Sequence, residues 1–383
     1  MTLITTTQAL ADFAETLKGA AFITVDTEFL RERTYWPKLC LLQVGGPTHA
    51  AAIDPLAPGI DLGPILDVIY DPHILKVVHA GRQDVEIFIQ MTGRIPTPLF
   101  DTQIAAQVCG MGESASYEQL AGKYAHAKID KSSRFTDWSR RPLTDKQITY
   151  ALADVTHLRV VYEKMLAELE RRDRKDWIAE EMAALQNDKA YLINPEEVWQ
   201  KFRTNSSKPQ YLHMLKVLAA WRERLAQHAD VPRGRIMRDE TLMEIAHHAP
   251  TSTEELGKMR GLSNGFAESD KGRQLVHIIK DALADPVDET LAEKPKRRTN
   301  GTQAALELLR VLLKHVAEDH DVAPRLICSS DELEEFASGQ HTVPPIPLPF
   351  LAGWRYKIFG EQAERLMRGE LSLRLNKGRV VIG

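Results

Sequence analysis

The chain has 383 residues, 43% hydrophobic and 27% charged, a composition typical of globular proteins with two or three domains. No apolar run approaches the roughly 18–20 residues that span a bilayer, and Met1 to Thr7 show no secretory leader. The cysteines Cys40, Cys109 and Cys328 lack a metal-type spacing, so we expect a reduced, cytoplasmic protein without a zinc site.

Charge is divided unevenly along the chain, whose net charge is −4. Residues 1–199 carry 21 Lys and Arg against 28 Asp and Glu, whereas residues 200–383 carry 28 against 25. An acidic first half suits a metal-dependent carboxylate site, and a mildly basic second half suits the binding of a polyanion.

Strand and helix patterns alternate in the first hundred residues. Apolar spacing predicts helices at 6–17, 65–70 and 83–91, and β-type runs predict strands at 22–29, 39–44, 49–53, 74–79 and 99–102. The strands between 22 and 53 are closely spaced, which predicts an antiparallel meander. Beyond residue 103 the patterns are helical and include a long helix from Asp145 past Glu168. This order predicts an α/β domain with helices packed on its sheet.

The second half of the chain contains a weak internal repeat in a helical context. Residues 231–246 align with residues 322–337 at a constant offset, which predicts two similar small helical domains in tandem. Residues 285–300, with the basic run Lys294 to Arg298, are predicted to form a solvated linker. We expect the tandem domains to hold RNA, with Arg233, Arg235 and Arg238 as phosphate contacts, and the chemistry to need nothing past about residue 200.

Four carboxylates and a tyrosine stand out in the first half. Asp26 and Glu28 are two residues apart on a strand and therefore point to the same face. Asp84 begins a helix directly after a strand, and Tyr150 and Asp154 share one face of the long helix. Each feature alone is common on protein surfaces, and paired carboxylates repel each other unless a cation lies between them. Mg²⁺ and Mn²⁺ prefer such oxygen ligands.

These residues stand in the order of a known family. The chain resembles the DEDD superfamily of 3′–5′ exonucleases, in the subgroup with a tyrosine in its third motif, and within it the ribonuclease D family. The three motifs are Val25–Phe29, His79–Asp84 and Tyr150–Asp154, and a further matching segment is Asp137–Leu143. The tandem helical repeats are similar to the HRDC domains that follow the catalytic domain in that family.

The resemblance implies a fold, a cofactor and roles for these side chains. It implies an α/β ribonuclease-H-like exonuclease domain with a mixed sheet at 1–195, followed by two small all-α HRDC-like domains at 205–290 and 300–383. It also implies that Asp26, Glu28, Asp84 and Asp154 hold two Mg²⁺ or Mn²⁺ ions and that Tyr150 positions or deprotonates the attacking water. A free tyrosine has a pKa near 10, so we favour orientation of the water by the hydroxyl.

Substrate contacts are less sharply indicated. Gln43 is predicted either to reach a nucleotide edge or to hydrogen-bond backbone groups of the protein. His79 is predicted either to touch the substrate or to lie at the end of its strand with its hydrogen bonds made within the protein. Trp138 is predicted to stack a base while Arg140 and Arg141 hold phosphate, or to be a packed tryptophan beside surface arginines. Asp101 is predicted to be structural, because the family's motif set is complete without it.

The sequence therefore predicts a metal-dependent 3′–5′ exoribonuclease that releases nucleoside 5′-monophosphates and trims 3′ ends of structured RNA such as tRNA precursors. Two alternatives stay open. The carboxylate chemistry does not distinguish ribose from deoxyribose, so the first alternative is a 3′–5′ exonuclease that acts on DNA. The other is a non-catalytic RNA-binding protein on the same fold.

Overall fold

The structure, a computed structural model, describes residues 2–134, 136–204, 206–292, 302–339 and 347–383. The predicted linker residues 294–298 lie outside these ranges. Residue contacts divide the chain into two compact units. The first unit contains residues 2–28, 39–190 and those described from 302 onward, and the second contains residues 29–38 and those described from 191 to 292.

A six-stranded mixed sheet forms the centre of the first unit, with the strand order β1-β4-β3-β2-β5-β6. β3 and β4 are antiparallel, as the meander predicts, whereas β5 runs parallel to both β2 and β6. β1 pairs in parallel with β4 and was not predicted, because three residues are too few to give an alternating pattern. The strands are β1 Thr2–Ile4, β2 Phe22–Leu30, β3 Lys38–Gly45, β4 Ala50–Ile53, β5 Leu75–Val78 and β6 Leu99–Asp101.

Helices follow the strands in the predicted order. The α-helices before residue 190 are α1 Thr7–Leu17, α2 Gly63–Ile69, α3 Arg82–Thr92, α4 Thr102–Ala106, α5 Tyr117–Leu120, α6 Asp145–Arg171 and α7 Ala179–Leu185. The long helix α6 begins at a capping box in which Thr144 and Gln147 satisfy each other's backbone amides. Its buried face, which includes Leu158, Val161 and Met165, packs into the core of the unit.

The rest of the chain is mostly helical, which confirms that prediction. The α-helices are α8 Pro209–His228, α9 Arg233–Ile236, α10 Asp239–His248, α11 Thr253–Gly257, α12 Asn264–Ala267, α13 Asp270–Ala284, α14 Thr302–His320, α15 Pro324–Ile327, α16 Ser330–Ser338, α17 Gly353–Arg355 and α18 Glu361–Met367. An antiparallel hairpin, β7 Leu373–Asn376 and β8 Arg379–Ile382, follows the last helix. Short 3₁₀ or π segments lie at 121–125, 131–133, 175–178, 188–190, 195–201, 289–292, 349–351 and 356–360.

The internal repeat is visible in the helices. α9 and α10 have the same offset to α15 and α16 as the aligned sequences, and each set follows a long helix, α8 or α14. In the second unit, Leu215, Leu242 and Ile279 are buried in a core formed by α8, α10 and α13. The three predicted domain ranges stay a prediction.

Residues from 302 onward share one hydrophobic core with the exonuclease strands and helices. Trp177 stacks on Trp354 with ring centroids 4.4 Å apart, and the buried Arg355 forms ion pairs with Glu180 and Glu181. This shared core indicates that a chain ending near residue 200 is less stable, whereas the expectation that the chemistry needs nothing past about residue 200 stays a prediction. A chain that ends there loses the partner of Trp177, and removal of a large aromatic partner costs about 3 kcal/mol or more.

None of the helices in the described part of the chain combines the length and the apolar character that crossing a bilayer requires.

Candidate active site

Strand β2 places the first two carboxylates. Because side chains alternate along a strand, Thr24, Asp26 and Glu28 lie on one face of the sheet. Helix α6 packs on this face, and a carboxylate oxygen from each of Asp26, Glu28 and Asp154 lies within 4.8 Å of the other two. The structure therefore brings together three of the four carboxylates that the sequence predicts.

Two hydroxyl groups hold the turn of α6 that carries Asp154. The Thr24 hydroxyl donates to the Val155 carbonyl oxygen at 2.8 Å. The Tyr117 hydroxyl lies 2.9 Å from the carbonyl oxygen of Ala153 and 2.7 Å from that of Asp154, and it donates to them. Because one donor comes from β2 and the other from α5, they fix the helix at the point where it faces the carboxylates. Sequence patterns gave no sign of these two positioning groups.

Asp84 lies in the first turn of α3 but outside the three-carboxylate cluster. It is buried, and its carboxylate accepts a hydrogen bond from the Thr27 hydroxyl. Asp101 supports the turn before α3, since its carboxylate accepts from the backbone amides of Ala80 at 3.0 Å and Gly81 at 2.9 Å. Asp101 also caps α4, so the prediction of a structural role for it is confirmed.

Burial makes the four carboxylates weak acids in the absence of a cation, and repulsion from the other carboxylates adds to this effect at Asp26 and Glu28. Burial, followed by the charges of Asp84, Asp154 and Glu28, raises the pKa of Asp26 well above its ordinary value. Burial is also the main cause that raises the pKa of Glu28 to about 9, of Asp154 to about 7 and of Asp84 to about 6. In addition, Asp154 has one buried carboxylate oxygen, Oδ1, without a hydrogen-bond partner among the described residues.

This donor set fits a divalent cation. Hard cations bind carboxylate oxygens, and a positive charge among the carboxylates offsets the repulsion that contributes to the raised pKa values of Asp26 and Glu28. The unpaired Oδ1 of Asp154 is an acceptor that such an ion satisfies, whereas a buried unpaired acceptor otherwise costs about 1–3 kcal/mol.

We expect metal to stabilise the protein more at pH 8 than at pH 6. The pKa values of Asp84 and Asp154 are higher in the folded protein than in the unfolded chain. Without metal, the stability that these two groups contribute is therefore fully present below about pH 4 and is lost as the pH rises through about 6 to 7. Metal restores it only at pH values where the carboxylates are charged. Melting temperatures with Mg²⁺ and with EDTA at both pH values measure this, and an equal increment at both would contradict the electrostatics described.

Tyr150 lies one helical turn before Asp154 and faces the same cluster. Burial, followed by the charges of Asp154 and Glu28, raises the pKa of Tyr150 above its ordinary value. The hydroxyl therefore keeps its proton at neutral pH, which favours orientation of water over proton abstraction. The Trp138 ring centre lies 6.2 Å from that of Tyr150, and the buried indole limits the space around it.

Arg134 is a charged residue near the site that sequence patterns did not single out. Its positive charge lowers the pKa values of Glu28 and Asp154 against the larger effect of burial. It follows the one-turn helix at 131–133, in a loop whose Thr136 hydroxyl accepts from the Gln147 amide at 3.1 Å. The available signal was the three-residue spacing of Lys128, Lys131 and Arg134 ahead of the Asp137 segment.

Two predicted substrate residues, Trp138 and Arg141, are engaged by the protein itself. Arg141 forms a two-pronged ion pair with Asp54, with both N–O distances 2.6 Å, and also donates to the Cys40 and Trp138 carbonyl oxygens. Trp138 is only 2% exposed, which leaves no open ring face for a base. These contacts favour the packing role that the sequence left open for both residues.

Gln43 and His79 differ in their access to a ligand. Gln43 is fully buried on β3, and neither of its amide atoms has a hydrogen-bond partner among the described residues. His79 is partly exposed, and its Nδ1 lies 3.0 Å from the Thr102 hydroxyl oxygen. Because Thr102 donates its proton to the Val78 carbonyl oxygen at 3.1 Å, His79 Nδ1 must be the donor, and its Nε2 is an acceptor. A substrate role for either residue stays a prediction.

Comparison with known proteins identifies the family. A 3′–5′ exonuclease family model matches residues 1–170, and an HRDC domain model matches residues 212–279. The ribonuclease D of Gluconacetobacter diazotrophicus is 45% identical over 99% of this chain and 95% of that protein, and the ribonuclease D of Sphingobium indicum is 46% identical over 99% and 97%. The chain belongs to the ribonuclease D family.

A solved structure of the family agrees over nearly the whole length. The ribonuclease D of Escherichia coli, an exoribonuclease involved in structured RNA processing, matches with a TM-score of 0.77 and 31% identity over 96% of this chain and 98% of that one. The protein is therefore a 3′–5′ exoribonuclease whose substrate is RNA. The predicted ribonuclease-H-like fold with an HRDC domain is confirmed, and the DNA alternative has no better support. The family depends in general on divalent metal ions, and this chain has the acidic cluster.

Proposed function

We propose that Asp26, Glu28, Asp84 and Asp154 hold two divalent cations, Mg²⁺ or Mn²⁺, for the hydrolysis of the terminal phosphodiester bond of RNA. The observation that carries this proposal is the convergence of three carboxylates within 4.8 Å, with Oδ1 of Asp154 left unpaired. Bound cations supply an activated water and stabilise charge on the attacking and leaving oxygens. The side chains of the protein fix the ligands and orient the water.

Tyr150 contributes a protonated hydroxyl at the edge of this cluster. Its raised pKa keeps the proton on the oxygen, so the hydroxyl donates to the scissile phosphate or orients the attacking water through its lone pairs. Thr24 and Tyr117 hold the backbone of α6 and thereby keep Tyr150 and Asp154 aimed at the strand carboxylates. This arrangement matches the preorganisation that electrostatic catalysis requires.

The role of Asp84 is tested by counting bound ions. Because Asp84 lies outside the three-carboxylate cluster, we expect the Asp84→Asn variant to keep one Mn²⁺ site and lose the other. Titration calorimetry with Mn²⁺ should give a stoichiometry near two for the unchanged protein and near one for the variant. The same isotherm for both proteins would remove Asp84 from the ligand set.

The substrate that we propose is the 3′ end of structured RNA, such as a tRNA precursor, from which nucleoside 5′-monophosphates are released. The proposal draws on the Escherichia coli relative, which processes structured RNA and aligns over 96% of this chain. The three free, buried cysteines agree with a reducing, cytoplasmic location for such a substrate. Incubation with a tRNA extended at its 3′ end, compared with an unstructured RNA of equal length, tests this preference.

We also propose that the second unit binds the RNA backbone through a cavity of about 780 Å³. Its lining includes Arg235, Arg238 and Arg260, and none of their three guanidinium groups has a hydrogen bond or ion pair among the described residues. Arg233, which the sequence grouped with them, is instead paired with the buried Glu223. Three unpaired guanidinium groups around one cavity suit phosphate oxygens, which arginine binds through two parallel hydrogen bonds.

Replacing Arg235, Arg238 and Arg260 together with glutamine should weaken binding of a long structured RNA. Three lost phosphate contacts should also reduce the slope of log affinity against log salt by about two to three. Cleavage of a short single strand should be little changed. The control is Arg224→Gln, because Arg224 is paired with Glu196 at the surface. Equal affinity and equal salt slope for the triple variant and the control would show that this cavity does not bind RNA.

A further inference from the structure

The chain that directly follows Glu28 is held by the second unit. Residues 29–38, which end β2 and connect it to β3, belong to that unit by their contacts, and Tyr35 is among them. Tyr35 is 5% exposed, and its hydroxyl donates to the carboxylate of Glu223, which is 1% exposed. Gln227 donates its side-chain amide to the same hydroxyl at 3.1 Å.

Arg233 neutralises the buried carboxylate in this cluster. Its guanidinium donates to both oxygens of Glu223 and, at 3.2 Å, to the Tyr35 hydroxyl oxygen. It also lies over the Tyr35 ring, 5.1 Å from the centroid. A buried carboxylate is tolerated when it is paired and hydrogen-bonded. The ion pair of Glu223 and Arg233 therefore forms a fixed hydrogen-bonding site for the Tyr35 hydroxyl.

Asp230 fixes the backbone of the same connection. Its Oδ1 accepts hydrogen bonds from the backbone amides of Tyr35 and Trp36, both at 3.0 Å. Asp230 itself has φ of 49°, a left-handed conformation that aspartate and asparagine adopt more readily than most residues. The connection is therefore held through both its backbone and its side chain.

In the second copy of the repeat, the residue equivalent to Asp230 binds a different part of the chain. Asp321 is the counterpart of Asp230 at the repeat offset, has φ of 55°, and accepts a hydrogen bond from Arg172 at 2.9 Å. The following amides, of Val231 and Val322, donate to equivalent carbonyl oxygens one turn back, at 3.1 and 3.0 Å. The two copies thus present the same turn, and only the first copy holds the connection that begins after Glu28.

We propose that Tyr35, Asp230, Glu223 and Arg233 are positioning residues for the hydrolytic reaction, because they fix the end of the strand that carries Glu28. This inference rests on the proposed role of Glu28 as a metal ligand. Glu28 stands two residues before the end of β2 at Leu30, and strand ends open locally at little free-energy cost. An anchored connection suppresses this opening, and a displacement of about 1 Å at a catalytic group costs roughly 10²-fold in rate.

The test compares Asp230→Ala with Asp321→Ala, its counterpart in the second repeat, with Tyr35→Phe as a milder variant. We expect Asp230→Ala to raise the Mn²⁺ concentration for half-maximal cleavage of a short RNA about three- to tenfold and to lower kcat. Its KM for RNA should stay unchanged. Tyr35→Phe should shift the same quantities less, and Asp230→Asn should restore them, because asparagine keeps the acceptor oxygen and the left-handed backbone.

The control and a reference variant separate the possible outcomes. Asp321→Ala should lower the melting temperature without changing the Mn²⁺ dependence, since its partner Arg172 caps the C-terminal end of α6, far along the helix from Tyr150 and Asp154. The inference is overturned if folded Asp230→Ala and Tyr35→Phe keep the Mn²⁺ dependence of the unchanged protein, or if Asp321→Ala shifts it equally. If Glu28→Gln also leaves the Mn²⁺ dependence unchanged, it is the proposed metal site that fails.

Discussion

Replacing Asp26 with asparagine should reduce RNA cleavage by several orders of magnitude and at the same time raise the stability of the metal-free protein. The substitution keeps the shape of the side chain but removes a charge that, by our proposal, binds the catalytic cations, and each factor of ten in rate is 1.36 kcal/mol of barrier. The same charge is buried and is repelled by Asp84, Asp154 and Glu28. Its removal relieves that repulsion when no cation is present.

Two measurements on Asp26→Asn are needed together. Single-turnover cleavage of a short RNA gives the loss of rate, and melting temperatures in EDTA at pH 8 give the gain in stability. The control is Asp12→Asn, because Asp12 is exposed on α1 and its carboxylate accepts a hydrogen bond from the Gln8 side-chain amide of the same helix. Near-normal cleavage by a folded Asp26→Asn variant would contradict the site, and a lower melting temperature in EDTA would contradict the repulsion.

Replacing Tyr150 with phenylalanine should lower the rate about 10²–10⁴-fold, the range expected for the loss of a group that orients or donates a proton. Metal affinity should be largely kept, because the change removes one hydroxyl and leaves all four carboxylates in place. The raised pKa of Tyr150 adds a second expectation. Tyr150 should therefore keep its proton between pH 7 and 9, and the cleavage rate of the unchanged protein should not fall over this range through its loss.

Tyr124→Phe is a matched control for Tyr150→Phe. The Tyr124 hydroxyl is also part of a hydrogen bond, to Glu168 at 2.7 Å, but Tyr124 is not among the groups that act on the carboxylate site. We expect Tyr124→Phe to lose some stability and to keep its rate. A collapse of Mn²⁺ affinity in Tyr150→Phe, measured by calorimetry, would identify Tyr150 as a ligand or structural group instead.

The sequence predicted the parts of the fold that local periodicity encodes. Alternation placed Asp26 and Glu28 on one strand face, helical spacing placed Tyr150 and Asp154 on one helix face, and the repeat offset reappears in the paired helices. The roles of these residues came from resemblance to a family, because each motif alone is common. The strand β1 was missed, since a pattern of three residues carries no periodicity.

Other features depend on contacts between residues that are distant in the chain. The ion pair that engages Arg141 needs Asp54, and the carboxylate that pairs with Arg233 comes from a different helix, α8. Nothing in the local sequence distinguishes these arginines from the unpaired Arg235. The shared core of the exonuclease region with residues from 302 onward is also a long-range property, which sequence-based domain boundaries do not reveal.

The central claim is that this chain shortens RNA from its 3′ end at a carboxylate site that requires divalent metal. Its most direct test uses 5′-labelled RNA and DNA strands of matched sequence with Mg²⁺, with Mn²⁺ or with EDTA, and resolves the products at single-nucleotide steps. We predict a ladder that shortens from the 3′ end of the RNA with either metal, slower shortening of the DNA, and no shortening in EDTA. Equal shortening of RNA in EDTA, or intact RNA with both metals, would contradict the account.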